Sequence, residues 1–99
     1  MKTIMIYCSS HFKELAYNFA SELIEKDKSI ILFPSRFILD NPFHISAKQY
    51  QDYLDIDLAK LELVDYIYII TKYTFIDSST YKLINRALVL NKKIIYKNF

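Results

Sequence analysis

Four short apolar runs, spread along the chain and separated by stretches of helical pattern, limit this sequence more than any other feature. They cover residues 3–8, 29–33, 65–71 and 93–97. Each is rich in β-branched or aromatic residues and too short for an ordinary helix, so each reads as a buried strand. After the first run, Phe12, Leu15, Ala16, Phe19, Ala20, Leu23 and Ile24 recur at steps of one, three and four. That spacing predicts a helix over residues 11–26. Ala47, Tyr50, Leu54, Leu58, Leu61 and Val64 mark a second helix over 46–63, with Ser46 as its cap. Ile84, Ala87 and Leu88 mark the inner face of a third, which follows a loop over 72–78 and ends near Asn91.

Strands alternating with helices imply right-handed crossovers and a parallel sheet. Runs that are apolar throughout imply helices on both faces. The expected architecture is α/β and three-layered: a four-stranded parallel sheet in the order 2-1-3-4, of flavodoxin-like type. Its switch point falls between the first and third strands, and ligands bind outside the carboxyl ends of strands at such a point. The turn 8–11 and the loop 72–80 should therefore meet at one crevice.

The chain has 99 residues, which is one domain, 1–99. Its 13 basic and 11 acidic residues leave a net charge of +2, too weak to indicate nucleic acid or a membrane surface as partner. No apolar run approaches the ~20 residues of a membrane helix. The start reads as a strand and lacks a signal-peptide cleavage site. A single cysteine forms no internal disulfide, and no Cys/His cluster has metal spacing. These features predict a cytoplasmic protein with no metal and no cofactor. Glycine is absent altogether, where average usage would give roughly seven. Asp27, Asn41 and Asn91 are the candidates for left-handed backbone.

The candidate site centres on Asp77-Ser78-Ser79-Thr80, between the third apolar run and the third helix. Free N–H groups and the helix dipole favour an anion there, and Ser78, Ser79 and Thr80 add hydroxyl donors. The plain alternative is that Asp77, Ser78 or Ser79 only caps the helix. Other residues carry similar pairs of readings. Asp57 belongs to Asp52-x-x-Asp55-x-Asp57, a pattern that usually marks a solvated helix face. Tyr7 would pack at the end of the first strand, and Cys8 beside it. His11 could meet a phosphate or stand in solvent.

Three segments resemble the nucleoside 2-deoxyribosyltransferase-like proteins, a family that includes deoxynucleoside monophosphate N-glycosidases. The opening Lys2-Thr3-Ile4-Met5-Ile6-Tyr7-Cys8-Ser9-Ser10-His11-Phe12-Lys13 is similar to the family's first strand and turn. Asp57-Leu58-Ala59-Lys60-Leu61-Glu62-Leu63-Val64-Asp65 is similar to its Asp-x-x-x-Ile-x-x-x-Asp segment. Residues 77–87 are similar to its Asp-Ser-Gly-Thr-x-x-Glu signature. The resemblance implies cleavage of an N-glycosidic bond through a glycosyl-enzyme formed on a glutamate. By motif, Asp57 would orient the sugar or nucleophile, and Asp77 would give a proton to the leaving base. Ser79 and Thr80, with Ser78, would meet the sugar or its phosphate. Tyr7, Ser9 and Ser10 would line the other wall. Leu83 stands where the glutamate belongs, and leucine cannot attack carbon.

The expectation is a nucleoside- or nucleotide-binding protein that lacks the covalent reaction. Two alternatives are an active N-glycoside hydrolase using a relocated carboxylate such as Asp77, and a protein-interaction module whose pocket Leu83 has closed. Nine tyrosines and seven phenylalanines suit a large interface, and family members often pair, so a homodimer or higher homo-oligomer is expected.

Overall fold

A computed structural model describes all residues, Met1–Phe99. Strands β1 (Thr3–Tyr7), β2 (Ile30–Leu32), β3 (Tyr66–Thr71) and β4 (Lys93–Asn98) form one parallel sheet in the order β2-β1-β3-β4. Helices α1 (Lys13–Asp27), α2 (Ala47–Lys60) and α3 (Ser78–Val89) make the three crossovers. The flavodoxin-like topology expected from the alternating pattern is the one the chain adopts. No helix is long and apolar enough to cross a membrane.

Strand residues alternate between faces, so each strand feeds two cores. Met5 and Tyr7 join Ile67, Ile69, Leu83 and Ala87 under α2 and α3. Ile6, Cys8 and Ile70 join Ala16, Phe19 and Leu23 under α1. Thus α1, joined by Phe37 from the 3-10 turn Ser35–Ile38, covers one side, while α2 and α3 share the other. Each fully buried aliphatic side chain here contributes about 1.5–3 kcal/mol. Asp65 clamps the lower end of the two central strands: it takes the Thr3 N–H at 2.8 Å and returns its own N–H to the Thr3 carbonyl at 2.7 Å.

Helix ends follow local chemistry. Ser46 caps α2, and Gln49 answers it to close a reciprocal capping box. The last turn of the expected second helix tightens to a 3-10 turn over Leu61–Leu63. Residues Ser10–Phe12 likewise form a 3-10 turn before α1 begins. The left-handed position after α1 is Lys28, with φ 52°, one residue beyond the expected Asp27. Asp27 is still helical, and the left-handed residue comes just past the last helical one. Asn91 is left-handed as expected, with φ 56°. Asn41 is not. Instead Tyr73 and Thr74, with φ 54° and 60°, turn the loop after β3.

Candidate functional site

Asp57 is the most enclosed charge in the protein, with no exposed surface. Its Oδ2 accepts the Tyr7 hydroxyl at 2.9 Å. Its Oδ1 accepts the Ser35 N–H at 2.9 Å, the Ser35 hydroxyl at 2.6 Å and the Lys60 ammonium at 3.2 Å. Lys60 also donates to the Phe33 carbonyl at 2.7 Å. The solvated-face reading is correct for Asp52 and Asp55, which are exposed, and wrong for Asp57. At 100° per residue Asp57 lies 200° around the helix from Asp55, so it points inward. A buried carboxylate needs such a set of donors, and here a cation completes it.

Tyr7 is pushed above its ordinary pKa first by burial, then by the charge and hydrogen bond of Asp57, and further by the charge of Asp77. Arg36 acts in the opposite direction. Tyr7 thus feels two carboxylates from distant segments, Asp57 through a direct hydrogen bond and Asp77 through its charge. Asp77 caps α3. Its Oδ1 accepts the Thr80 N–H at 3.0 Å and the Thr80 hydroxyl at 2.5 Å. Both the cap reading and the placement beside β1 hold at once.

The hydroxyls of the α3 start divide. Ser79 and Thr80 are buried, while Ser78 is exposed. Ser79 donates to the Tyr50 hydroxyl at 3.1 Å, and Lys82 reaches the same oxygen at 3.5 Å. Lys82 and Arg36 also lie over the Tyr50 ring, at 5.1 and 5.7 Å from its centre. Burial, the largest single influence on Tyr50, raises its pKa. Hydrogen bonds from Ser78, Ser79 and Lys82, with the Lys82 charge, outweigh it and leave the phenol below its ordinary value. Arg36 donates in turn to the Pro42 carbonyl.

On the opposite wall, Ser9 is buried and caps the 3-10 turn, with its Oγ 2.9 Å from His11 Nδ1. Ser10 is half-buried and His11 exposed. Cys8 packs under α1, and burial, then the Asp77 charge, pushes its thiol up to about 12. Such a thiol is no nucleophile near neutral pH.

Between the turn after β1 and the loop after β3 lies a shallow recess of about 280 Å³, lined by His11, Phe12 and Phe75. Phe12 and Phe75 meet edge to face at 6.0 Å, and Phe43 lies 4.3 Å from the His11 ring. The two bends converge at one rim, as the strand order predicts. The recess between them is aromatic, not hydroxyl-lined, because Ser9, Ser79 and Thr80 turn toward protein partners. It is the one cavity in the structure, and Asp57 and the α3 hydroxyls do not line it. Leu83 has no exposed surface and packs under the sheet with Met5 and Tyr7. No opening lies beside it.

No protein-family model matches this chain, and neither does any curated protein sequence. No group of three or more His, Cys, Asp or Glu residues comes together in a way that could hold a metal ion.

Sequence reasoning missed Ser35, Lys60, Tyr50 and Phe75. Lys60 had a signal, lying three residues from Asp57 on the same helix. Tyr50 had one too, since it lies two turns before Asp57 on one helical face. Ser35 comes three residues after the end of β2, which places it near the carboxyl rim. Phe75 had none beyond its loop.

Proposed function

We propose that this protein binds a nucleoside or nucleotide at the rim between β1 and β3 and does not carry out the covalent reaction of the family it resembles. The observation that carries the reading is the aromatic recess at the switch point, where the turn after β1 meets the loop after β3. Its rings offer faces and edges on which a base would stack. At the nearby start of α3, the Ser78 hydroxyl and the Lys82 ammonium would meet a sugar or phosphate. Leu83 removes the nucleophile, and full burial keeps substrate from Asp57.

The test is an amide-resolved NMR titration with common deoxynucleosides and their monophosphates. Shifts centred on His11, Phe12 and Phe75, abolished in Phe75→Ala, are expected at millimolar ligand or below. An unchanged spectrum across the panel overturns the reading. Overnight incubation of the same panel should release no free base. A release that is lost in Asp77→Asn would favour the hydrolase alternative. That alternative draws on one feature, the second carboxylate oxygen of Asp77, which its cap bonds leave available.

A further inference from the structure

The α1 side of the sheet is only half roofed. Four strands span roughly 15–20 Å across, and a helix with its side chains is about 10 Å wide. On the far side α2 and α3 together cover that width. On the near side α1 packs against β1 and β2, covers Ile70 of β3 and touches Tyr68, and no helix is seated over β4.

The unroofed half carries Tyr66, Tyr68, Ile95, Lys97 and Phe99. Its facing is fixed by contacts with α1: Phe19 meets Tyr68 at 4.9 Å, and the Lys97 ammonium lies 5.6 Å from the rings of both Phe19 and Phe99. Tyr66, Tyr68 and Ile95 stay partly open to solvent, and Phe99 is 42% exposed. Aromatic and aliphatic side chains thus face water in the half of a sheet that would ordinarily be covered.

Charge is also divided across this face. The β4 segment presents Lys93 and Lys97 and no acid. The exposed surface of α1 presents Glu14, Glu22, Glu25 and Asp27 against Lys26. Lys93 pairs in register with Tyr66, which feels the charge of Asp27, so Lys93 and the acidic end of α1 stand at similar height along the sheet.

We propose that a second copy of this chain covers the exposed half-sheet, the two copies related by a two-fold axis running along the strands. Rotation about that axis keeps height and exchanges sides. Each uncovered half-sheet then stacks on the other, and β4 of each copy comes against the α1 flank of its partner. Lys93 meets the carboxylates at the end of the opposing α1, Glu22 foremost. The patch is self-complementary, as a two-fold interface requires. A standard interface buries roughly 800 Å² per partner, and two strands plus a helix flank fall at its lower end, so the dimer is a reversible one. This inference stands apart from the proposed ligand.

Sedimentation equilibrium on the intact chain, from micromolar to millimolar concentration, tests it. The wild type should show a monomer–dimer equilibrium that weakens with added salt. Lys93→Glu and Glu22→Lys are both exposed, so neither should disturb the fold. Each alone should weaken dimerisation about tenfold or more, and the two together should restore it. A chain that stays monomeric at millimolar concentration overturns the proposal. So does a dimer indifferent to both single reversals, or one that the paired reversal fails to restore.

Discussion

The Tyr7 hydroxyl donates to the Asp57 carboxylate at 2.9 Å, across fifty positions of sequence, and both side chains are shut away from water. This contact ties the end of β1 to the inner face of α2. With Ser35 and Lys60 it forms a polar network around the one fully buried carboxylate.

Removing the acceptor should therefore cost far more than removing one donor. Asp57→Ala leaves the Lys60 charge, the Tyr7 hydroxyl and the Ser35 N–H without their partner, and should destabilise the fold by about 3–5 kcal/mol. Tyr7→Phe leaves Asp57 with Ser35 and Lys60, and should cost about 1–3 kcal/mol. Urea unfolding measures both. Two losses of equal size would contradict the network as described.

The cap of α3 makes a smaller and more local prediction. Asp77→Ala removes the acceptor for the Thr80 N–H and should cost about 0.5–2 kcal/mol. Asp77→Asn keeps an acceptor and should retain most of the cap. Hydrogen exchange at Thr80 should accelerate in the alanine variant, and unchanged protection there would rule the cap out.

Leu83 gives a third test. Leu83→Ala should cost about 2–5 kcal/mol, through lost burial and the cavity left behind. Leu83→Glu restores the side chain that the resemblance calls for, in a place with no opening to solvent and beside apolar neighbours. It should destabilise the fold as well and release no base from deoxynucleosides or their monophosphates. A stable Leu83→Glu protein that liberates base would show that ligand reaches this position.

Alkaline pH supplies a fourth. Burial, then the charge of Asp77, holds the Cys8 thiol proton up to about 12 in the folded chain. The unfolded thiol loses its proton from about 8.5. Between those values the folded state binds more protons, so stability falls as pH rises, by about 1.4 kcal/mol per pH unit. Tyr7, also raised by burial and by Asp57, adds a fall of the same sign once pH passes about 10. Cys8→Ala should flatten the profile between about pH 9 and 10. The thiol should also resist alkylation at about pH 8 until urea unfolds the chain.

Much of the fold was legible because two periodicities are hard to confuse. Apolar runs of five to seven residues alternating with steps of three and four give strands, helices and strand order together. The convergence of the turns at 8–11 and 72–80 follows from that order. The interior of the site was harder to read. Asp52, Asp55 and Asp57 look alike in sequence, and only the angle around α2 separates the buried one from the exposed pair. Its donors come from β1 and from the turn after β2, which no local pattern connects to it. The lining of the recess depended on which way side chains turn at a bend. The serines turned inward to cap and bond, and the phenylalanines were left to line the opening.

The lack of glycine has a consequence for any guest at the rim. The left-handed positions are held by Lys28, Tyr73, Thr74 and Asn91, so every bend in the molecule carries a Cβ. Bare peptide is nowhere offered for an anion to nestle against. Recognition must run through the tips of side chains, and a single substitution can retune it while the main chain keeps its course.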